Sequence, residues 1–240
     1  MFDIFERDVF PDRTEAGRRL AERLRHFKDQ QPVVLALPRG GVPVGFEVAH
    51  TLHAPLDVFV VRKLGTPHHE ELAMGAIASG GVRVLNQRVI QTLRIPAAIV
   101  RHVAAHEERE LGRCEQAYRG DCPPIDVRGK TVVLVDDGLA TGSTMQAAVT
   151  ALREQHPRRI VVAVPTAPAD VCDAMRDVSD EVVCLSSPEP FLAVGVWYED
   201  FSETTDADVR ELLASSREWT AGTLRSRPRW NGKAKVGLPA

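Results

Sequence analysis

The chain has 240 residues, enough for one large α/β domain or two small ones, and 44% apolar with 26% charged residues is the composition of a globular protein. A net charge of −3 gives no reason to expect nucleic acid or a membrane surface as a partner. No run approaches eighteen apolar residues and the first seven residues lack an apolar core, so the reading is a cytoplasmic chain without a spanning helix or signal peptide. Its four cysteines have no CxxC spacing, which argues for reduced thiols rather than a zinc site.

In chain order, Ala16, Leu20, Leu24 and Phe27 form one apolar stripe and predict a helix over 12–28. Val33 to Leu37 is a continuous apolar run, as a strand buried on both faces requires, and Pro38-Arg39-Gly40-Gly41 stops it. A helix over 45–52 and a second buried strand over 58–61 follow. Gly65, Gly75, Gly80 and Gly81 predict a mobile loop over 65–81 and then a short hairpin ending at 82–85. Pro96 opens a long charged helix to about Tyr118. Strands over 131–135, 160–164 and 182–185 then alternate with helices over 143–155 and 169–175. That rhythm predicts a parallel sheet with right-handed crossovers. Phe191 to Phe201 is aromatic-rich, and Arg225, Arg227, Arg229, Lys233 and Lys235 make a basic tail over 221–240, expected to be disordered.

The chemistry concentrates at Val132 to Thr144. A buried strand ends in Asp136-Asp137, and Gly138-Leu139-Ala140-Thr141-Gly142-Ser143-Thr144 leads into a helix. Unpaired N–H groups at a helix start, the helix dipole and the hydroxyls of Thr141, Ser143 and Thr144 form a cup for a phosphate without need of a lysine. Two carboxylates at the carboxyl end of the strand can accept hydrogen bonds from vicinal hydroxyls, and ligands of open α/β sheets bind at that edge. A phosphate and a diol a few ångströms apart describe ribose 5-phosphate. The competing reading, two aspartates that merely cap a helix, needs one of them. Neither GxxxxGK[ST] nor GxGxxG after a strand occurs.

This stretch resembles the signature of type I phosphoribosyltransferases. The opening Phe5-Glu6-Arg7-Asp8, the loop from Leu37 to Val44 and the closing Val194-Gly195 and Tyr198-Glu199-Asp200-Phe201 extend the resemblance over residues 1–215, to bacterial stand-alone phosphoribosyltransferase-domain proteins. It implies an α/β fold with a central, mostly parallel sheet flanked by helices and a small hood near 188–205. It also implies an enzyme that moves a 5-phosphoribosyl group from phosphoribosyl pyrophosphate to a nitrogenous acceptor. Magnesium would arrive on the substrate, near Asp136 and Asp137, rather than on a protein metal site. In such proteins Arg39, Gly40 and Gly41 would grip pyrophosphate, with a cis Pro38–Arg39 bond, and Arg62 and Lys63 would balance its charge beneath a lid. Asp137 could also take a proton from the acceptor. Phe191, Trp197 or Tyr198 would stack on a base that Glu199 or Asp200 reads. The purine-reading lysine of the family is replaced by Pro165-Thr166-Ala167, which argues against a 6-oxopurine. Adjacent residues rarely converge on one ion, so His68-His69-Glu70-Glu71 is not read as a metal site. A homodimer is expected by analogy. The alternative function is a regulator that senses the donor without turnover; it would need a helix-turn-helix or a basic face, and the tail after 225 is the sole basic cluster.

Overall fold

A computed structural model describes residues 9–66 and 69–222, the side chains of 69–72 excepted. The opening residues 5–8, His68 with the side chains of 69–71, and the basic tail therefore lie outside the described residues.

Five parallel strands form the main sheet: β1 (Val33–Ala36), β2 (Leu56–Val58), β6 (Thr131–Val135), β7 (Arg159–Thr166) and β8 (Glu181–Ser186), in the order β2-β1-β6-β7-β8. Every residue of β1 and β6 is buried, as expected of strands with helices on both faces. One layer holds α1 (Arg13–Leu24), α2 (Gly41–Leu52) and α7 (Asp206–Thr220), packed through Leu20, Leu24, Phe46, Val209 and Leu213. The other holds α5 (Ser143–Arg153) and α6 (Ala169–Arg176), packed through Met145, Val149, Leu152, Cys172 and Met175. The first helix ends sooner than its apolar stripe, and residues 25–30 continue it as a 3-10 helix.

The expected strand over 58–61 is two strands of different sheets. The main chain leaves the parallel sheet after Val58, with Phe59 N–H on the Ala36 carbonyl and Val60 N–H on the Ser79 hydroxyl. It re-enters as β3 (Val61–Thr66), which with β4 (His69–Ala78) and β5 (Val82–Leu85) makes a small antiparallel sheet. The mobile loop read over 65–81 is thus largely strand. Gly75 serves close packing, since a Cβ there would stand 2.4 Å from the Val84 carbonyl oxygen, whereas Gly80 and Gly81 turn the chain with φ 85° and 76°. Leu64, Met74 and Ile77 bury against Val100 and Ala104 of the long helix α4 (Ala97–Arg119), and a short α3 (Gln87–Thr92) precedes it.

The sequence reading passed over α7, which runs through residue 215. Thr205 and Asp208 form a reciprocal capping box at its start, and Val209, Leu212 and Leu213 are its buried face. Among the described residues no helix is long and apolar enough to cross a membrane.

Candidate functional site at the carboxyl edge of the parallel sheet

The turn after β6 lies at the edge where β1 also ends. Gly142 takes φ 68°, a left-handed conformation that favours glycine, and starts α5 without a side-chain cap. Thr141, Ser143 and Thr144 are exposed beside it, with the Thr141 and Ser143 hydroxyls 3.1 Å apart. The N–H groups of this helix start therefore face an open, hydroxyl-lined cup. Lys63 of β3 reaches it, donating from Nζ to Ser143 Oγ at 2.6 Å. The sequence reading found no need of a lysine in the cup and set Lys63 at the pyrophosphate; in the structure Lys63 stands at the cup's rim, on Ser143.

Asp136 and Asp137 differ in their partners. The Asp137 main-chain N–H donates to Asp136 Oδ1 at 2.9 Å. The Asp137 carboxylate receives Arg13 Nε on Oδ2 at 2.8 Å, with both side chains largely buried. Burial first, and then the charge of Asp137, hold the Asp136 carboxyl well above the usual carboxylate range. Burial also raises Asp137, and Arg13 pulls it back in part.

The loop after β1 closes over this pair. The Pro38–Arg39 peptide is cis, as the resemblance implied. A Cβ at Gly40 would lie 2.0 Å from Asp137 Oδ2, and one at Gly41 2.8 Å from the Val135 carbonyl oxygen. Only glycines let this loop lie so close to the acids. Arg39 itself is half-exposed and pairs with Glu203 at 2.5 Å and Asp206 at 3.7 Å. Those two carboxylates, ahead of and at the start of α7, occupy the cation that the sequence reading gave to pyrophosphate.

Arg62 and Lys63 part company, because neighbours on a strand point to opposite faces. Arg62 donates to Glu107 of α4 at 2.8 Å, away from the Lys63–Ser143 contact. The aromatic reading also changes. Trp197 and Tyr198 are each 6% exposed, packed with Phe10 and Ala16, so neither offers a free ring face to a base. Phe191 stacks on Trp197 with centroids 6.1 Å apart, and the Tyr198 hydroxyl donates to the Asp137 carbonyl at 2.5 Å. Burial beside Asp137 pushes the Tyr198 phenol far up. Trp197 and Tyr198 thereby pack this segment onto Phe10 and onto Ala16 of α1. Phe201, by contrast, is 37% exposed. Glu199 and Asp200 are exposed and bound through their N–H groups to the carbonyls of Phe10 and Pro11. At the end of β7, Thr166 and Ala167 are buried, and the Thr166 carbonyl accepts Leu139 N–H.

Residues 12–198 match the phosphoribosyl transferase domain model, which spans the cup, the acid pair and the loop over them. The chain belongs to this family. It is 47% identical over 205 residues to "Putative phosphoribosyl transferase Rv0571c" of Mycobacterium tuberculosis (strain ATCC 25618 / H37Rv), covering 85% of this chain and 46% of that protein. The chain thus spans about half the length of that relative. A 37% identity over 131 residues links it to "Bifunctional protein PyrR" of Roseiflexus sp. (strain RS-1), covering 50% of this chain and 62% of the relative. The crystal structure of TT1426 from Thermus thermophilus superimposes with a TM-score of 0.78 at 43% identity, over 85% of this chain and 97% of that one.

Arg13 is the site residue that the sequence reading missed. It stood among the polar residues between the apolar positions of α1, and its partner is 124 residues away. Nothing local marks such a contact.

Proposed function

We propose that the protein transfers the 5-phosphoribosyl group of phosphoribosyl pyrophosphate to a nitrogen of a small acceptor, a nucleobase by analogy, with release of pyrophosphate. The observation that carries this reading is the convergence, at one sheet edge, of an uncapped helix start with a lysine, two partly buried carboxylates and a glycine loop pressed against them. The spacing suits a phosphate at one end, a diol in the middle and a second anion at the loop.

In this reading Thr141 to Thr144 and Lys63 hold the 5-phosphate. Asp136 and Asp137 accept from the ribose hydroxyls. Gly40 and Gly41 offer main-chain N–H groups to pyrophosphate, and Arg39 turns to it from Glu203 and Asp206. The C1–O bond to pyrophosphate breaks as the C1–N bond forms, and the acceptor's proton passes to a base, in this reading the Asp137 carboxylate. Much of the rate gain comes from positioning and from charge set where pyrophosphate develops it. Among the described residues no three histidines, cysteines or acids gather to hold a metal. Asp136 and Asp137 suit magnesium that arrives on the donor and keeps its waters. Such an ion would neutralise the charge of the leaving pyrophosphate. The end of β7 presents no cation to a base, so an acceptor other than a 6-oxopurine fits best.

Calorimetry with phosphoribosyl pyrophosphate and magnesium tests the donor. Wild type should bind it, and a variant with Asp136→Asn and Asp137→Asn should bind it far less; equal binding by both proteins ends this reading. A panel of purine and pyrimidine bases, screened for magnesium-dependent pyrophosphate release, would then name the acceptor.

A further inference from the structure

Asp137 is held from three sides by segments far apart in the chain. Arg13, the first residue of α1, gives its Nε to Asp137 Oδ2 at 2.8 Å and its Nη1 to the Ser202 carbonyl at 2.7 Å. The guanidinium carbon lies 3.8 Å from the centroid of Phe201 and 6.0 Å from that of Tyr198. On another side stands Gly40, with no room for a Cβ. The Tyr198 hydroxyl fixes the main-chain carbonyl of Asp137 itself.

A largely buried guanidinium is an expensive way to pin a helix, since burying an ion pair recovers little beyond its own desolvation. Here it does something a hydrophobic contact could not. It binds one oxygen of the carboxylate and so fixes the rotamer, while a carboxylate keeps acceptor capacity for further donors. Its planar fork reaches Ser202 at the same time, which a point charge on a flexible stem cannot do as well.

We propose that Arg13 is the positioning residue of the donor subsite. It orients the Asp137 carboxylate toward the ribose hydroxyls and ties that carboxylate to the strap at 198–203. The proposal rests on the donor reading above. It makes the order of the strap a condition of donor affinity, since Ser202 is joined to Asp137 through Arg13 and Tyr198 bonds its main chain.

The test is calorimetry with ribose 5-phosphate, and with inorganic phosphate as a probe of the cup alone, alongside thermal melts. The proteins are wild type, Arg13→Met, Arg13→Lys, Asp137→Asn and the Arg13→Met/Asp137→Asn double variant. Arg13→Met should weaken ribose 5-phosphate about tenfold or more and leave inorganic phosphate unchanged. Arg13→Lys should lose less. The double variant should bind no worse than Asp137→Asn alone, because Arg13 acts through that carboxylate. Losses that multiply in the double variant, or full affinity in Arg13→Met, overturn the proposal. If Arg13→Met fails to fold, Arg13→Lys in both backgrounds decides by the same comparison. If wild type binds inorganic phosphate but not ribose 5-phosphate, the donor reading itself falls, and the role of Arg13 with it.

Discussion

Gly40→Ala isolates the contact between the loop and the acid pair. Gly40 has φ −59° and ψ −33°, a helical conformation in which alanine is at ease. Backbone strain is therefore absent, and the lost freedom of the unfolded chain would by itself favour the variant by about 0.4–1 kcal/mol. The new Cβ instead meets Asp137, 2.0 Å from Oδ2 and 2.7 Å from Cγ. Reaching an ordinary contact of 3.4 Å moves the carboxylate by about 1.4 Å, and a free side chain would give way cheaply. This one is held by Arg13 at 2.8 Å. Breaking a charge-assisted hydrogen bond costs about 1.5–3 kcal/mol, or roughly 10- to 100-fold in affinity. Calorimetry should show that loss for ribose 5-phosphate, and the melting temperature should fall by a few degrees, because the same bond is lost from the folded protein and the unfolded-chain gain offsets only part of it. Gly112→Ala is the control, because nothing lies within 4 Å of its Cβ. Wild-type affinity in Gly40→Ala would refute the idea that the acid is locked between loop and helix.

Asp136→Asn should raise the melting temperature at pH 7. The raised Asp136 pKa means the folded protein keeps that proton to higher pH than the unfolded chain does, so stability falls as pH rises from the unfolded value through the folded one. Asparagine removes that penalty and can still accept the Asp137 N–H; the gain should vanish near pH 4, and a gain independent of pH would contradict the assignment. Arg119→Met should cost about 3–5 kcal/mol in denaturant unfolding, since it strands Asp57, whose two oxygens receive Arg119 Nε at 2.8 and 2.9 Å with both side chains about 5% exposed. A loss below 1 kcal/mol would show that the pair is not needed. Arg39→Ala should weaken pyrophosphate more than ribose 5-phosphate in competition binding; equal losses would remove Arg39 from the leaving-group end.

The sequence by itself determined the parallel strands and the turn after β6, because both are local. Val132 to Val135 are apolar on both faces, which calls for cover on both sides of the sheet, and the helix start after Gly142 creates its own cup of N–H groups. The cis bond at Pro38–Arg39 was legible only through resemblance to other loops of its kind. Tertiary structure decided the partners. Val61 to Thr66 reads locally as a strand end with a loop, yet Leu64 finds Met74 and α4, and the segment becomes a second sheet. Lys63 and Arg62, adjacent in sequence, go to Ser143 and Glu107 because a strand alternates its faces. Trp197 and Tyr198 looked like ligands' rings and are core, since α1 covers them. Arg13 looked like a solvated helix residue and lies on the acid that defines the site. Short-range order follows from spacing and propensity. A contact that spans 124 residues follows only from how the layers close on one another.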